Sequence, residues 1–167
     1  MSLPDLLIRY EDITNGRISP NTKRALEYNG NCAGVYFYVA RTENNGYPFK
    51  PSKIVYIGKA NNLADRIKWH FSIDMNKKFP NSETLIWPYQ NYYSSKSKVK
   101  VDIVLYKRKD ASDFEILLLA AFLDEHGAPP ICNGSIQRKL MVEKIKTMSK
   151  KFSEAKKILE DVETLKF

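Results

Sequence analysis

The sequence predicts a single α+β domain, and three observations predict it. Short runs rich in β-branched and aromatic residues are interspersed with stretches of helical period. Their order is strand, strand, helix, strand, helix, followed by a basic helical tail. The 167 residues, 43% hydrophobic, suffice for one real core. No repeat and no flexible linker forces a second domain, so residues 1–167 are expected to fold as one unit.

Residues Pro4 to Glu27 read as one or two short helices with a polar break at Asn15-Gly16. Ser19-Pro20-Asn21 is a helix-start signal, and Asn29-Gly30-Asn31 ends that element. Ala33 to Ala40, AGVYFYVA, is a strand by composition. The turn-rich stretch Arg41 to Lys53 joins it to a second strand, Ile54 to Ile57, in a hairpin with an enlarged connection. The chain is expected to stop at Gly58, turn through Lys59 to Asn62, and enter a helix with Asn62 as N-cap.

The segment 72–93 is polar and aromatic and long for a connector. Its Lys77, Lys78, Trp87, Tyr89, Tyr92 and Tyr93 suit either contact with a nucleic acid or anchoring of the loop to the core. Val99 to Tyr106 alternates, with Val99, Val101, Ile103 and Leu105 on one face and Lys100 and Asp102 on the other, as in a half-buried strand. Ser112 and Glu115 have capping-box spacing. They open a helix, FEILLLAAFLDEH, that is apolar nearly all round and therefore buried. Gly127 ends it, and Pro129-Pro130 extends the chain to Asn133. Residues 136–167 are mostly helical, with Leu140, Ile145, Met148, Phe152, Ile158, Val162 and Leu165 as a packing stripe.

The charge balance narrows the partners. There are 27 Lys and Arg against 19 Asp and Glu, a net charge of +8. That favours a polyanion such as nucleic acid, although many basic proteins are merely soluble. Cys32 and Cys132 make neither a disulfide framework nor a zinc motif. No apolar run is long enough to span a membrane. The acidic start lacks a signal pattern, so a cytoplasmic location is expected.

The stretch Ile54–Phe71 concentrates the chemistry. Tyr56 ends a strand, Lys59 lies in the following turn, and Arg66 and His70 are four residues apart on the next helix, hence on one face. A phenol, an ammonium, a guanidinium and an imidazole there can meet at one anionic group. Taken singly, each has an ordinary structural reading: core tyrosine, solvated cation, satisfied histidine.

Gly34-Val35-Tyr36 and Tyr56-Ile57-Gly58 resemble the two namesake motifs of the GIY-YIG nuclease superfamily, with Val35 in place of isoleucine. Arg66, ten residues after Tyr56, has the spacing of that family's helical arginine. His70 matches its tyrosine-or-histidine position, and Asn133 its terminal asparagine. The resemblance covers residues 33–133. Residues 1–32 would then be an N-terminal helical extension and 134–167 a basic C-terminal one. It implies a small three-stranded antiparallel sheet flanked by helices, and hydrolysis of double-stranded DNA dependent on a divalent metal, Mg2+ or Mn2+. By resemblance, Tyr36 is the general base for a water nucleophile and Tyr56 supports it. Arg66 gives two parallel N–H donors to phosphate oxygens, and Lys59 adds a DNA-binding point charge. His70 hydrogen-bonds in the site or accepts a proton, and Asn133 orients the catalytic groups.

One departure stands out. The family's metal-binding glutamate follows a leucine run, and here Leu117-Leu118-Leu119 is followed by Ala120-Ala121. Ala120 occupies the slot by the leucines, Ala121 by counting back from Asn133. Glu115 precedes Ala120 by five residues, about 140° away around the helix and roughly 7.5 Å along it, a poor replacement. Asp124, about 6 Å further along on a similar face, is the better substitute on spacing. Ala120 is then an inactivating substitution, a natural loss, or a vacancy that Asp124 fills.

The expected function is a metal-dependent DNA endonuclease, most similar to the restriction-enzyme branch, which embeds recognition in insertions around the core. The alternatives are a catalytically silent nucleic-acid-binding module of the same fold, and an interaction protein using its basic C-terminal helices. A homodimer would serve a palindromic target, but no residue decides it.

Overall fold

The computed structural model describes residues 3–14, 17–41, 45–72, 100–134 and 136–166. The chain runs β1 (Leu6–Ile8), a 3-10 turn (Tyr10–Asp12), β2 (Ile13–Thr14), β3 (Arg17–Ile18), α1 (Pro20–Asn29), β4 (Gly34–Ala40) and β5 (Ile54–Ala60). It continues with α2 (Leu63–Ser72), β6 (Val101–Lys107), α3 (Ala111–His126), α4 (Arg138–Thr147) and α5 (Ser149–Thr164). The α+β class is as expected. The sheet, however, has four antiparallel strands in the order β1-β6-β4-β5, with β2 and β3 forming a separate two-stranded ribbon. The expectation of three strands, and of an N-terminal extension made only of helices, is corrected. Leu6, Leu7 and Ile8 pair with Leu105, Val104 and Ile103, because an apolar triplet gains more from completing a sheet edge than from a short isolated helix.

β4 is central and buried along its whole length. Its alternating side chains feed two cores. Tyr36, Tyr38 and Ala40 pack with Leu26 of α1 and Leu63 and Ile67 of α2. Val35, Phe37 and Val39 pack with Phe114, Leu117, Leu118 and Phe122 of α3 and Leu159 and Val162 of α5. Ser19 caps α1, its hydroxyl accepting from Thr22 N–H, with Pro20 in the first turn. Asn62 caps α2 by accepting from Asp65 N–H at 2.9 Å. Gly127 closes α3 at φ 81°, a left-handed conformation that favours glycine. The cap at the start of α3 differs from expectation: Asp110 is the N-cap and Ser112 lies inside the first turn. Arg108 and Lys151 hold the Asp110 carboxylate, at 2.8 Å each, and keep its pKa below the usual carboxylate range.

Two further expectations are revised. β5 does not stop at Ile57 but continues through Gly58, Lys59 and Ala60, which pair with Tyr36, Val35 and Gly34. Nor is β6 half-buried: Asp102, expected on a solvent face, is wholly buried. Arg41 holds it with Nε at 3.0 Å and Nη2 at 2.5 Å, and Tyr10 N–H donates to it at 2.8 Å. Arg41 also bonds Glu11, so one guanidinium ties the end of β4 to β6 and the 3-10 turn. The segment from Ser72 to Lys98, with its lysines and aromatics, and the Asn15-Gly16 break lie outside the described residues apart from Ser72 itself.

Removing the buried carboxylate would take from Arg41 its two hydrogen bonds to Asp102 and leave Tyr10 N–H without this acceptor. Asp102→Ala is expected to lower stability by about 2–4 kcal/mol, read as a lower urea midpoint at unchanged m-value.

Candidate functional site

The β4–β5 register builds the site. Tyr36 lies opposite Gly58 and Tyr38 opposite Tyr56, so three tyrosines share the face covered by α2. Their rings are close: Tyr36 to Tyr56 is 5.8 Å, Tyr36 to Tyr38 6.0 Å and Tyr38 to Tyr56 6.0 Å between centroids. Gly58 makes this arrangement fit. A Cβ there would stand 2.5 Å from the Tyr56 ring and 2.6 Å from Cζ of Tyr36.

α2 brings the basic groups. The His70 ring lies 5.7 Å from Tyr36, and its Nδ1 is 2.7 Å from the Tyr38 hydroxyl. His70 is 4% exposed. Burial first, and then the Arg66 cation, push its pKa down to about 3, so it is neutral at physiological pH. Arg66 is exposed, and its guanidinium carbon lies 5.6 Å from the Trp69 ring centre. Its charge lowers the pKa of Tyr36, Tyr56, His70 and Glu115 alike. Arg66 is therefore the cation common to the cluster.

The two motif tyrosines differ. Tyr36 is 1% exposed, and burial raises its phenol far above the ordinary value. Tyr56 is only partly buried. Burial also raises it, but a hydrogen bond from Tyr36 lowers it. Both are therefore phenols at neutral pH, and Tyr56 is the one held less deeply, with Tyr36 and Arg66 acting against its burial.

Glu115 is the carboxylate that acts on the cluster. Its charge raises both Tyr36 and Tyr56, and its own pKa is raised by burial against the lowering effect of Lys59. Lys59 Nζ lies 3.6 Å from Glu115 and 3.2 Å from Ser112 Oγ. A cavity of about 290 Å3 is lined by Lys59, Glu115, Leu119, Asn133, Gln137 and Met141, among others. The residues singled out from the leucine spacing lie elsewhere. Ala120, 5% exposed, lines a different cavity with Phe49, Leu123 and Met141. Asp124 pairs with Lys156 of α5 at 3.2 Å. Of the two carboxylates weighed as substitutes, Glu115 near the start of α3 is the one whose charge reaches the phenols, while Asp124 is engaged by α5. Among the described residues no group of three or more His, Cys, Asp or Glu gathers to hold a metal ion.

Asn133 is at the site but faces the backbone. Its Oδ1 accepts from Ile57 N–H at 3.0 Å and its Nδ2 donates to Ile57 C=O at 2.8 Å. Cys132 N–H adds a bond to Val55 C=O at 2.9 Å. Asn133 therefore fixes the edge strand that carries Tyr56. Tyr38, the partner of His70, was not singled out by sequence; its signal was the alternation Tyr36-x-Tyr38, which puts both phenols on one face.

No helix among the described residues is long and apolar enough to cross a membrane. The chain matches no protein-family model, no curated protein and no solved structure.

Two outcomes follow from this geometry. Gly58→Ala is expected to displace both motif tyrosines, changing the near-UV circular dichroism and costing about 1–3 kcal/mol by overpacking. The depressed His70 pKa means that the unfolded chain, with a histidine pKa near 6.5, binds a proton the folded chain refuses. Stability from His70 is therefore present above pH 6.5 and lost as pH falls toward 3. On the order of 2 kcal/mol should disappear between pH 7 and pH 5, and urea unfolding of His70→Gln should show a correspondingly shallower decline.

Proposed function

We propose that the chain is a DNA phosphodiesterase of the GIY-YIG type, acting at the Tyr36–Tyr56–Arg66–His70 cluster. The single observation that carries this reading is the convergence of the Tyr56 and His70 rings on the Tyr36 ring, at 5.8 and 5.7 Å between centroids, with all three under the charge of Arg66. A phosphodiester is anionic, and its attack by water needs fixed positive charge aimed at the developing charge. Arg66 supplies two parallel N–H donors for phosphate oxygens from an exposed position. Tyr56, nearest solvent, first gives its own proton to bulk water, a loss that the Arg66 charge favours against burial, and its phenolate then takes the proton of the attacking water. This exchanges the roles that the resemblance gives the two tyrosines, because Tyr36 is buried and held as a phenol. His70 is too weak a base to take that proton at neutral pH, and acts by seating Tyr38 and the rings. Asn133 acts as a positioning residue through β5.

A divalent ion of the magnesium class is part of the reading. Such ions use one or two carboxylates and complete their shell with water and substrate phosphates. Glu115, a partly buried carboxylate acting on both phenols, fits that donor set and would hold it. When bound, such an ion lowers the pKa of water and offsets phosphate charge. A second reading, a silent nucleic-acid-binding module, is favoured by one observation: the single carboxylate is engaged by Lys59.

Incubation of supercoiled plasmid with Mg2+ or Mn2+ separates the two. The nuclease reading expects cleavage that falls at least about 100-fold in Arg66→Ala and about 10²–10⁴-fold in Tyr56→Phe, with Glu115→Gln inactive at any metal concentration. Salt-sensitive duplex binding with no cleavage by the unaltered chain would leave only the second reading standing.

A further inference from the structure

On the side of α2 away from Arg66 lies a groove to which the proposed reaction assigns no role. It is a cavity of about 350 Å3 lined by Arg17, Ile18, Lys23, Lys68 and Phe71. Three separate elements supply its cations: Arg17 from β3, Lys23 from α1 and Lys68 from α2. Among the described residues no carboxylate lines it. Lys68 is shared with Glu27 and Asp65, at 3.5 Å each, whereas neither Arg17 nor Lys23 has an ion-pair partner among the described residues. Both are exposed. Phe71, three residues after Lys68 and hence on the same face, packs against the core and closes the floor. Convergent cations around an apolar floor suit a phosphate group whose sugar lies against the ring.

We propose that this groove holds a second backbone phosphate of the duplex whose scissile phosphate meets Arg66. The inference rests on the DNA reading given above. Residues 66 and 68 are two apart, about 200° around the helix, so Arg66 and Lys68 leave α2 on nearly opposite sides. A helix with its side chains is about 10–12 Å across, and the major groove of B-DNA is about 12 Å wide. Phosphates on the two strands bordering that groove can therefore be gripped from both sides of α2. The short ribbon β2–β3 then has a purpose: it carries Arg17 to the groove mouth, against α1 and α2.

The test is binding of the full-length chain to a fluorescent 20-base-pair duplex in metal-free buffer with chelator, over a salt series. Each neutralised phosphate contributes about −0.9 to the slope of log K against log salt. Arg17→Glu/Lys23→Glu is expected to weaken binding at least tenfold and to reduce the magnitude of the slope by about one. Arg17→Lys/Lys23→Arg should keep both near the original, as should the control pair Lys150→Glu/Lys157→Glu on α5. An unchanged slope in the groove variant, or an equal loss in the α5 control, would overturn the inference. The two readings fail separately. Cleavage by the unaltered chain with a slope indifferent to Arg17 and Lys23 removes the groove and keeps the nuclease. Groove-dependent binding without cleavage under Mg2+ keeps the groove and removes the nuclease. Absence of any salt-sensitive duplex binding removes both.

Discussion

The pairing of Tyr36 with Gly58 across β4 and β5 is the constraint on which the site depends. A strand pair carries its side chains in strict alternation, so this one register decides which face every neighbouring residue joins. With Tyr36 opposite a glycine, its ring can lie over the β5 backbone and still leave room for Tyr56. A shift of one residue would send the phenols into the core packed by α3 and α5. The irregularity between Tyr38 and Val39 comes after the motif residues, where the strand has already placed them. Val55 and Tyr56, consecutive in sequence, both join the α2-side core, as a local break in alternation allows.

Around that pair, polar groups have been buried where burial is costly. Three phenols and an imidazole sit in or beside a hydrophobic cluster, and burial holds Tyr36, Tyr56 and His70 in their neutral forms. The cost is limited by the hydrogen bond between Tyr38 and His70, which satisfies groups that would otherwise be desolvated without return. Arg66, left in solvent, acts on Tyr36, Tyr56 and His70 together. The arrangement keeps neutral groups fixed and adds charge from the rim. The Asp102–Arg41 network does the corresponding work at the other end of β4, with the buried Asp102 carboxylate paired directly with a cation.

Much of this was legible in the chain. The strand AGVYFYVA, the caps at Ser19 and Asn62, the stop at Gly127 and the joint placement of Arg66 and His70 all follow from local pattern, and the structure has them. What was not legible depended on long-range packing. Leu6–Ile8 becomes a strand only because β6 offers it an edge. Asp102 looks like a solvent-facing residue until Arg41 and Tyr10 N–H, distant in sequence, arrive to neutralise it. Glu115 was passed over because the leucine run gave a count along α3, but not the rotation of that helix about its axis. That rotation is set by which of its nearly uniform apolar faces meets the sheet, and a helix hydrophobic all round carries little directional information. Tyr38 escaped notice because a strand tyrosine is ordinarily just core, and only the approach of His70 from α2 gives it a polar partner.

The backbone bonds made by Cys132 and Asn133 along β5 have a consequence beyond positioning Tyr56. A bare outer strand is a template on which a foreign strand can grow, by domain exchange, by fibril seeding, or by joining two copies into one continuous sheet. Here the amide of Asn133 imitates a peptide unit and occupies both Ile57 groups on that border. The opposite border is β1, only three residues long. Self-association of this chain, where it occurs, is thereby directed to side-chain surfaces of the helices rather than to ladder extension.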